Sequence, residues 1–263
     1  MIKTLFPMFC TLLFFTFATN AEELLIAGDD NAKPKNWLDL RGEPKGIHIE
    51  LLDEISRKTG IEFTYSMAPW ARVFALSKNG NAAIIGFSKT TEREKLWHYS
   101  DPLYFDELVF VSRKDDMFEF SGLGSIRGLT IGIKRGASYG DDFEQAVRTG
   151  LIKVVETTDR ANQLRMLDAG RVDLVLLSPG RIALETIIKE NSWLQAHRDG
   201  FAIISPPYKL DPNYIGIPKS MGKEHLLEPI NEAIRQIKAN GTYERIVQKV
   251  TDKIIEELRG ARP

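Results

Sequence analysis

The fold is most restricted by two short runs of small and apolar residues, Ala82 to Phe87 and Val172 to Leu177, each reached through the same alternation of strands and helices. Runs of this length with few polar interruptions read as strands buried on both faces, which is how parallel strands covered by helices sit. Before the first run comes a strand at Leu24 to Ala27. A helix follows with Leu51, Leu52 and Ile55 on one face and Gly60 at its end, then a strand at Ile61 to Tyr65. Pro69 is placed as the first residue of a helix through Trp70, Val73, Phe74 and Leu76, ending near Gly80. Before the second run come a strand at Leu129 to Ile133, a helix opening at Ser138, a strand at Ile152 to Val155 and a helix at Arg160 to Leu167. The expected class is α/β, each block a mostly parallel sheet flanked by helices.

The blocks are joined by an apolar strand, Glu107 to Val111, and not by a flexible Gly/Ser linker. A second crossing strand is expected at Tyr214 to Ile217, after Pro206, Pro207 and Pro212. Two helical patterns remain, Leu226 to Ala239 and Tyr243 to Leu258, separated by Asn240-Gly241. Their apolar faces need cover, so the tail should return to the first lobe. The reading is a first lobe at residues 22–108, a second at 109–213, and a hinge return with the last helices at 214–263. Two lobes joined by two strands enclose a cleft with a hinge.

Residues 1–21 read as an address. Lys3 precedes an uncharged apolar stretch, Leu5 to Phe17, and Ala18-Thr19-Asn20-Ala21 offers small residues for cleavage. This matches a secretory signal peptide, and the stretch is too short for a membrane span of about 20 residues. The expected location is the periplasm, with no stable membrane insertion after cleavage. Cys10 is the one cysteine, so neither a disulfide framework nor a Cys-based zinc site is available. With net charge −1 the chain presents no basic field for a nucleic-acid backbone, and nucleic acid is not an expected partner.

Gly136-Ala137-Ser138-Tyr139-Gly140 matches a nucleophile elbow, with His197 and His225 following in chain order. Lys134 and Arg135 separate the strand from the glycine, however, and neither histidine sits in a pattern. A turn ending in Ser138 at a helix start, offering N–H groups and a hydroxyl to an anion, is the better reading. Ser88-Lys89-Thr90-Thr91-Glu92-Arg93 lies just beyond a buried strand in which Gly86 permits close approach. Ligands in open α/β sheets bind off the carboxyl ends of strands, where a guanidinium can grip a carboxylate in a bidentate fork. Arg93 paired to Glu92 or Glu94 on a solvated turn is the competing reading. Trp70, at the cleft rim, is either core or a stacking platform. The four histidines are scattered, no metal or dinucleotide motif occurs, and no cofactor is expected. Asn240-Gly241-Thr242 is a formal glycosylation sequon better read as a helix connection.

In order and spacing these segments resemble the bacterial extracellular solute-binding proteins of the family that includes polar amino-acid receptors of ABC transporters. The resemblance spans almost all of residues 22–260. It is carried by Pro44-Lys45-Gly46-Ile47 before Glu50-Leu51-Leu52, Pro69-Trp70-Ala71-Arg72, Ile84 to Arg93, Tyr99-Ser100-Asp101-Pro102-Leu103-Tyr104, Ile131-Gly132-Ile133, the glycine turn at 136–140, Gly170-Arg171-Val172-Asp173 and Asn240-Gly241-Thr242-Tyr243. It implies a two-lobed periplasmic binding fold of type II. It also places the carboxylate-binding arginine at Arg93, its nearby hydroxyl at Ser88, and the helix start of the second lobe at Ser138, next to Tyr139. Amino-acid receptors of this family carry an aspartate for the α-ammonium where this chain has Ser178. Either Asp29 or Asp30 supplies that charge, or the ligand is not an α-amino acid. The first loop has Ala32 near the place where such receptors often have an aromatic.

The ligand set read from the chain is therefore Asp30, Trp70, Gly86, Ser88, Arg93, Ser138, Tyr139 and Ser178. The expected function is a periplasmic receptor, not an enzyme, that takes a small carboxylate-bearing solute between its lobes and presents it to an ABC permease. The alternatives are a dehydratase-like enzyme, for which Asp30, Glu92 and Asp211 are the acids available, and a sensor module.

Overall fold

The computed structural model describes residues 22–260, so the signal-peptide reading lies outside the described residues. The first part of the chain runs β1 (Glu23–Asp29), β2 (Asn31–Ala32), β3 (Asn36–Leu38), β4 (Pro44–Lys45), α1 (Ile47–Thr59), β5 (Glu62–Ala68), α2 (Trp70–Lys78), β6 (Ala83–Ser88), α3 (Thr91–Glu94) and β7 (Trp97–Tyr99). The long strand β8 (Tyr104–Arg113) then leads to β9 (Thr130–Lys134), α4 (Asp141–Arg148), β10 (Lys153–Thr157), α5 (Arg160–Asp168), β11 (Leu174–Leu177), α6 (Gly180–Lys189), α7 (Ser192–Ala196) and β12 (Phe201–Ile203). A second long strand, β13 (Lys209–Pro218), precedes α8 (Leu227–Ala239) and α9 (Thr242–Gly260).

Among the described residues, the strand path is β10-β9-β11-β8-β13-β6-β1-β5. Strands β5, β1 and β6 are mutually parallel, as are β10, β9 and β11. Between these triplets, β8 and β13 pair antiparallel to each other over Tyr104–Leu108 and Lys209–Asn213. β8 goes on to pair with β11 and β12, while β13 goes on to pair with β6 and β7. The two crossing strands thus hold the halves together through their own hydrogen bonds.

Each half has its own core. Leu24 and Ile26 of β1 and Ile47, Leu52 and Ile55 of α1 pack with Ile230 and Ile234 of α8 and Ile246 of α9. The tail helices pack against the first half, where burial of each such side chain contributes about 1.5–3 kcal/mol. In the second half β8 serves both faces by simple alternation. Leu108 and Phe110 pack with Ile131 and Phe143, whereas Val109 and Val111 pack with Leu164, Val175 and Leu184. At the far rim, Lys189 of α6 donates to the Glu257 carbonyl of α9, and Lys33 pairs with Glu190 at 2.6 Å.

Two helix starts differ from the sequence reading. Pro69 has φ −51° and ψ 138°, so it is the N-cap and Trp70 is the first helical residue. The extended ψ keeps Pro69 outside the helix, and its missing N–H costs nothing there. The helix expected to open at Ser138 begins instead at Asp141, with Gly140 as N-cap. Gly136 at φ +71° and Gly140 at φ +98° hold the intervening residues in a turn that cannot be helical. The first helical turn is acidic, with Asp141, Asp142 and Glu144, which suits the positive end of the helix dipole.

Candidate ligand-binding site

The carboxyl ends of β1, β6, β9 and β11 converge on a cavity of about 70 Å³, closed on its hinge side by the crossing strands β8 and β13. From the first half come Asp29, Lys35, Trp70, Gly86, Ser88 and Arg93. The second half adds Lys134, Ser138, Tyr139, Arg160, Gln163 and Ser178, and the crossing strands bring Asp106 and Asp211.

Arg93 is buried, in the short helix α3 capped by the Thr90 side chain. Its guanidinium lies over Phe87 and Phe74, 4.5 and 5.3 Å from the ring centroids. It donates to the Ser88 carbonyl at 2.9 Å and to the Gly136 carbonyl of the opposite half at 3.4 Å. The solvated alternative is excluded, since Glu92 pairs with Lys95 and Glu94 with Lys89. Burial lowers the arginine's pKa, and the aromatic faces offset part of that cost. Trp70 donates its Nε1–H to the same Gly136 carbonyl at 2.9 Å, so one peptide of the second half is gripped by two side chains of the first.

Ser88 donates to Asp211 at 2.6 Å. Burial raises the Asp211 pKa, the Ser88 bond opposing the shift. Gly86, at φ +66°, sits where an added Cβ would lie 3.3 Å from the His48 ring. His48 is buried and well below its usual pKa, first through desolvation and then through Lys35. Its Nδ1 lies 2.9 Å from Asn36 Oδ1, while Asn36 Nδ2 donates to the Asp29 carbonyl. This chain of bonds makes Nδ1–H the donor of a neutral imidazole that props up the cavity floor.

Ser178 donates to Asp106 Oδ2 at 2.6 Å, and the Lys35 ammonium bonds the same carboxylate, Asn213 Oδ1 at 3.2 Å and Ser178 Oγ at 3.4 Å. Asp29 is buried and ion-paired across the cleft with Lys134, whose pKa burial pushes down to about 8, Arg160 reinforcing the fall and Asp29 opposing it. Arg160, the first residue of α5, donates to the Ser178 carbonyl at 3.0 Å.

Seven of the eight residues expected to meet ligand line this cavity; Asp30 does not, and lies in a neighbouring depression with Asn31 and Asp159. The chain turns outward after the buried end of β1, which separates Asp30 from Asp29. Ser138 lines the cavity, but its hydroxyl is bonded to Glu144, so the helix-start anion site expected there is already engaged by a carboxylate. Tyr139 is a core residue for most of its ring, packed edge-on to Phe143, and its hydroxyl accepts the Lys134 N–H at 3.2 Å. No triad forms around Ser138. His197 is stacked on Trp193 and His225 bonds Glu22, both exposed. Among the described residues no three metal-ligating side chains cluster. Of the acids considered for chemistry, Asp211 alone lines the cavity; Glu92 is on the surface with Lys95.

Sequence reasoning passed over Lys35, Asp106, Lys134 and Arg160. Lys134 could have been found, because it ends a buried strand at the carboxyl side where ligands bind. Arg160 likewise opens the helix after β10. Lys35 and Asp106 are far apart in the chain, and nothing local marks them as a pair.

Residues 24–253 match the family described as bacterial extracellular solute-binding proteins, family 3. The ABC transporter arginine-binding protein 1 of Escherichia coli is 26% identical over 239 residues, covering 88% of this chain and 92% of that protein. The histidine-binding periplasmic protein of Salmonella typhimurium is 25% identical over 243 residues, covering 90% of each. The solved structure of an ancestral arginine-binding protein bound to arginine superposes with a TM-score of 0.69 at 24% identity, covering 86% of this chain and 97% of that one. No helix among the described residues is long and apolar enough to cross a membrane.

Proposed function

This chain belongs to the bacterial extracellular solute-binding proteins, family 3, and on that footing we propose that it captures a small carboxylate-bearing solute between its lobes, in the periplasm, for an ABC permease. The observation that carries the reading is the cavity wall shared by both halves, with Arg93 and Trp70 of one holding the Gly136 carbonyl of the other. A solute touching both walls stabilises the closed arrangement over an open one, which is the differential affinity that closure requires. Arg93 receives the carboxylate in this reading, because it combines burial, aromatic support and N–H groups not used by the protein. Trp70, Gly86, Ser88, Ser138, Tyr139 and Ser178 shape the rest of the site.

A receptor and an enzyme would differ in what becomes of the solute. The acids considered for dehydratase-like chemistry are dispersed, and Asp211 is committed to Ser88. The test is a thermal-shift panel of amino acids, carboxylates and amines on protein unfolded and refolded to strip carried-over solute. A binder at about 100 times its dissociation constant adds about 2.7 kcal/mol, or a rise of about 5–10 °C in melting temperature. Recovery of the solute unchanged supports the receptor; turnover sinks it, and so does a panel in which no carboxylate stabilises the protein.

A further inference from the structure

We propose that the solute is a small dicarboxylate without an ammonium group, one carboxylate on Arg93 and the other on Arg160. This rests on the solute-receptor reading and narrows it to a ligand class.

The charges of the cavity are unequally paired. Its lining carries four cations, Lys35, Arg93, Lys134 and Arg160, against three acids, Asp29, Asp106 and Asp211. Two cations are spoken for, Lys35 by Asp106 and Lys134 by Asp29, which leaves Arg93 and Arg160 against the single carboxylate of Asp211. Neither arginine has a carboxylate within ion-pairing distance among the described residues; Arg93 bonds two carbonyls and Arg160 one. A guanidinium has five N–H donors, so both keep several for a ligand. Of the acids of the depression beside Arg160, Glu190 holds Lys33, Asp159 caps α5 at the Ala161 N–H, and Asp30 is not within ion-pairing distance of Arg160.

Each arginine comes from a different half, Arg93 from α3 and Arg160 from α5. A solute with two carboxylates would bridge them and tie closure to both charges. Gln163, buried on the next turn of α5, has an amide Nε2 with no partner among the described residues and adds a donor on that side.

An ammonium finds no matching place beside Ser178, and Asp211, the lining acid without an ion-pairing cation among the described residues, already accepts the Ser88 hydroxyl. Around Ser178, the position that would accept it, the chain's own Lys35 ammonium already holds Asp106. Asp106 Oδ1 remains without a partner among the described residues, but a second ammonium there would sit beside Lys35 and be repelled. A neutral hydroxyl fits that oxygen without repulsion. Asp29 is no substitute, because Lys134 matches its charge.

The experiment is isothermal titration of the stripped, refolded protein with dicarboxylates from oxalate to adipate and with malate. Alongside run propionate, aspartate, glutamate, arginine and histidine. Succinate or malate should bind at least tenfold more tightly than aspartate, about 1.4 kcal/mol. Arg160→Gln should weaken the best dicarboxylate at least tenfold and shift propionate by less than threefold, with Arg160→Lys recovering part of the loss; circular-dichroism melts verify that both variants fold. Tighter binding of any α-amino acid than of its amine-free counterpart overturns the proposal and leaves the receptor standing. Undiminished dicarboxylate affinity in Arg160→Gln does the same. If no carboxylate in the panel binds, both readings fall together.

Discussion

Lys35 and Asp106 form a buried ion pair at the hinge wall of the cavity, the first from the turn between β2 and β3 and the second from crossing strand β8. Gly46 makes the approach of the Lys35 loop possible, because at φ +126° an added Cβ would come within 2.2 Å of the Lys35 carbonyl oxygen. The pair therefore anchors the first-half loop to the strand that leads into the second half, and its charge occupies the space beside Ser178.

Removing one partner should be far worse than removing both. Lys35→Met leaves Asp106 buried without its cation, at a cost of about 3–5 kcal/mol, or on the order of 10 °C in melting temperature. Lys35→Met combined with Asp106→Leu should recover most of the loss. Thermal denaturation of the two single variants and the double variant makes the comparison; equal losses in all three would refute a coupled pair.

Arg93 should matter to binding more than to folding. Arg93→Met keeps the stem between Phe74 and Phe87 while removing a desolvated charge, so the melting temperature should stay level or rise. Affinity for the carboxylate solute should drop by about 2–5 kcal/mol, at least thirtyfold. Calorimetry on Arg93→Met and Arg93→Lys would decide, and an unimpaired Arg93→Met would remove Arg93 from the site.

Trp70→Phe deletes the bond to the Gly136 carbonyl and leaves the ring in place. A single hydrogen bond of this kind contributes about 0.5–1.5 kcal/mol, so the closed form should weaken several-fold. Small-angle scattering should show a larger radius of gyration for the variant without solute. Identical scattering curves would mean that the bond does not help hold the lobes together.

Lys134 provides a pH dependence with two opposite signs. Its pKa falls to about 8 in the folded protein, from an ordinary 10.5. Between those values the unfolded chain binds more protons, so this group makes folding more favourable as pH rises through that window. Closure runs the other way. Above about pH 8 the ammonium loses its proton and Asp29 loses its partner across the cleft. Solute affinity measured from pH 7 to pH 9.5 should fall in the wild type, while Lys134→Met should start weaker and stay flat. A wild-type affinity that holds through pH 9.5 would rule out a contribution of this pair to closure.

What the chain alone determined was the alternation of strands and helices and the faces they bury. Local periodicity decides both, so β6, β11 and the apolar faces of α8 and α9 could be read directly. The same periodicity placed Arg93 and Ser88 just beyond the end of one buried strand, while spacing alone left Arg93 between cleft and solvated turn and the family resemblance supplied the ligand reading. Helix starts were less so, because Gly136 and Gly140 decide through positive φ that Ser138 lies in a turn. Only the tertiary structure decided which charges meet. Lys35 with Asp106, and Lys134 with Asp29, are brought together by crossing strands and lobe closure across 71 and 105 residues of chain. A charge buried in low dielectric depends on its nearest partner, and that partner is set by the fold, not by sequence neighbours.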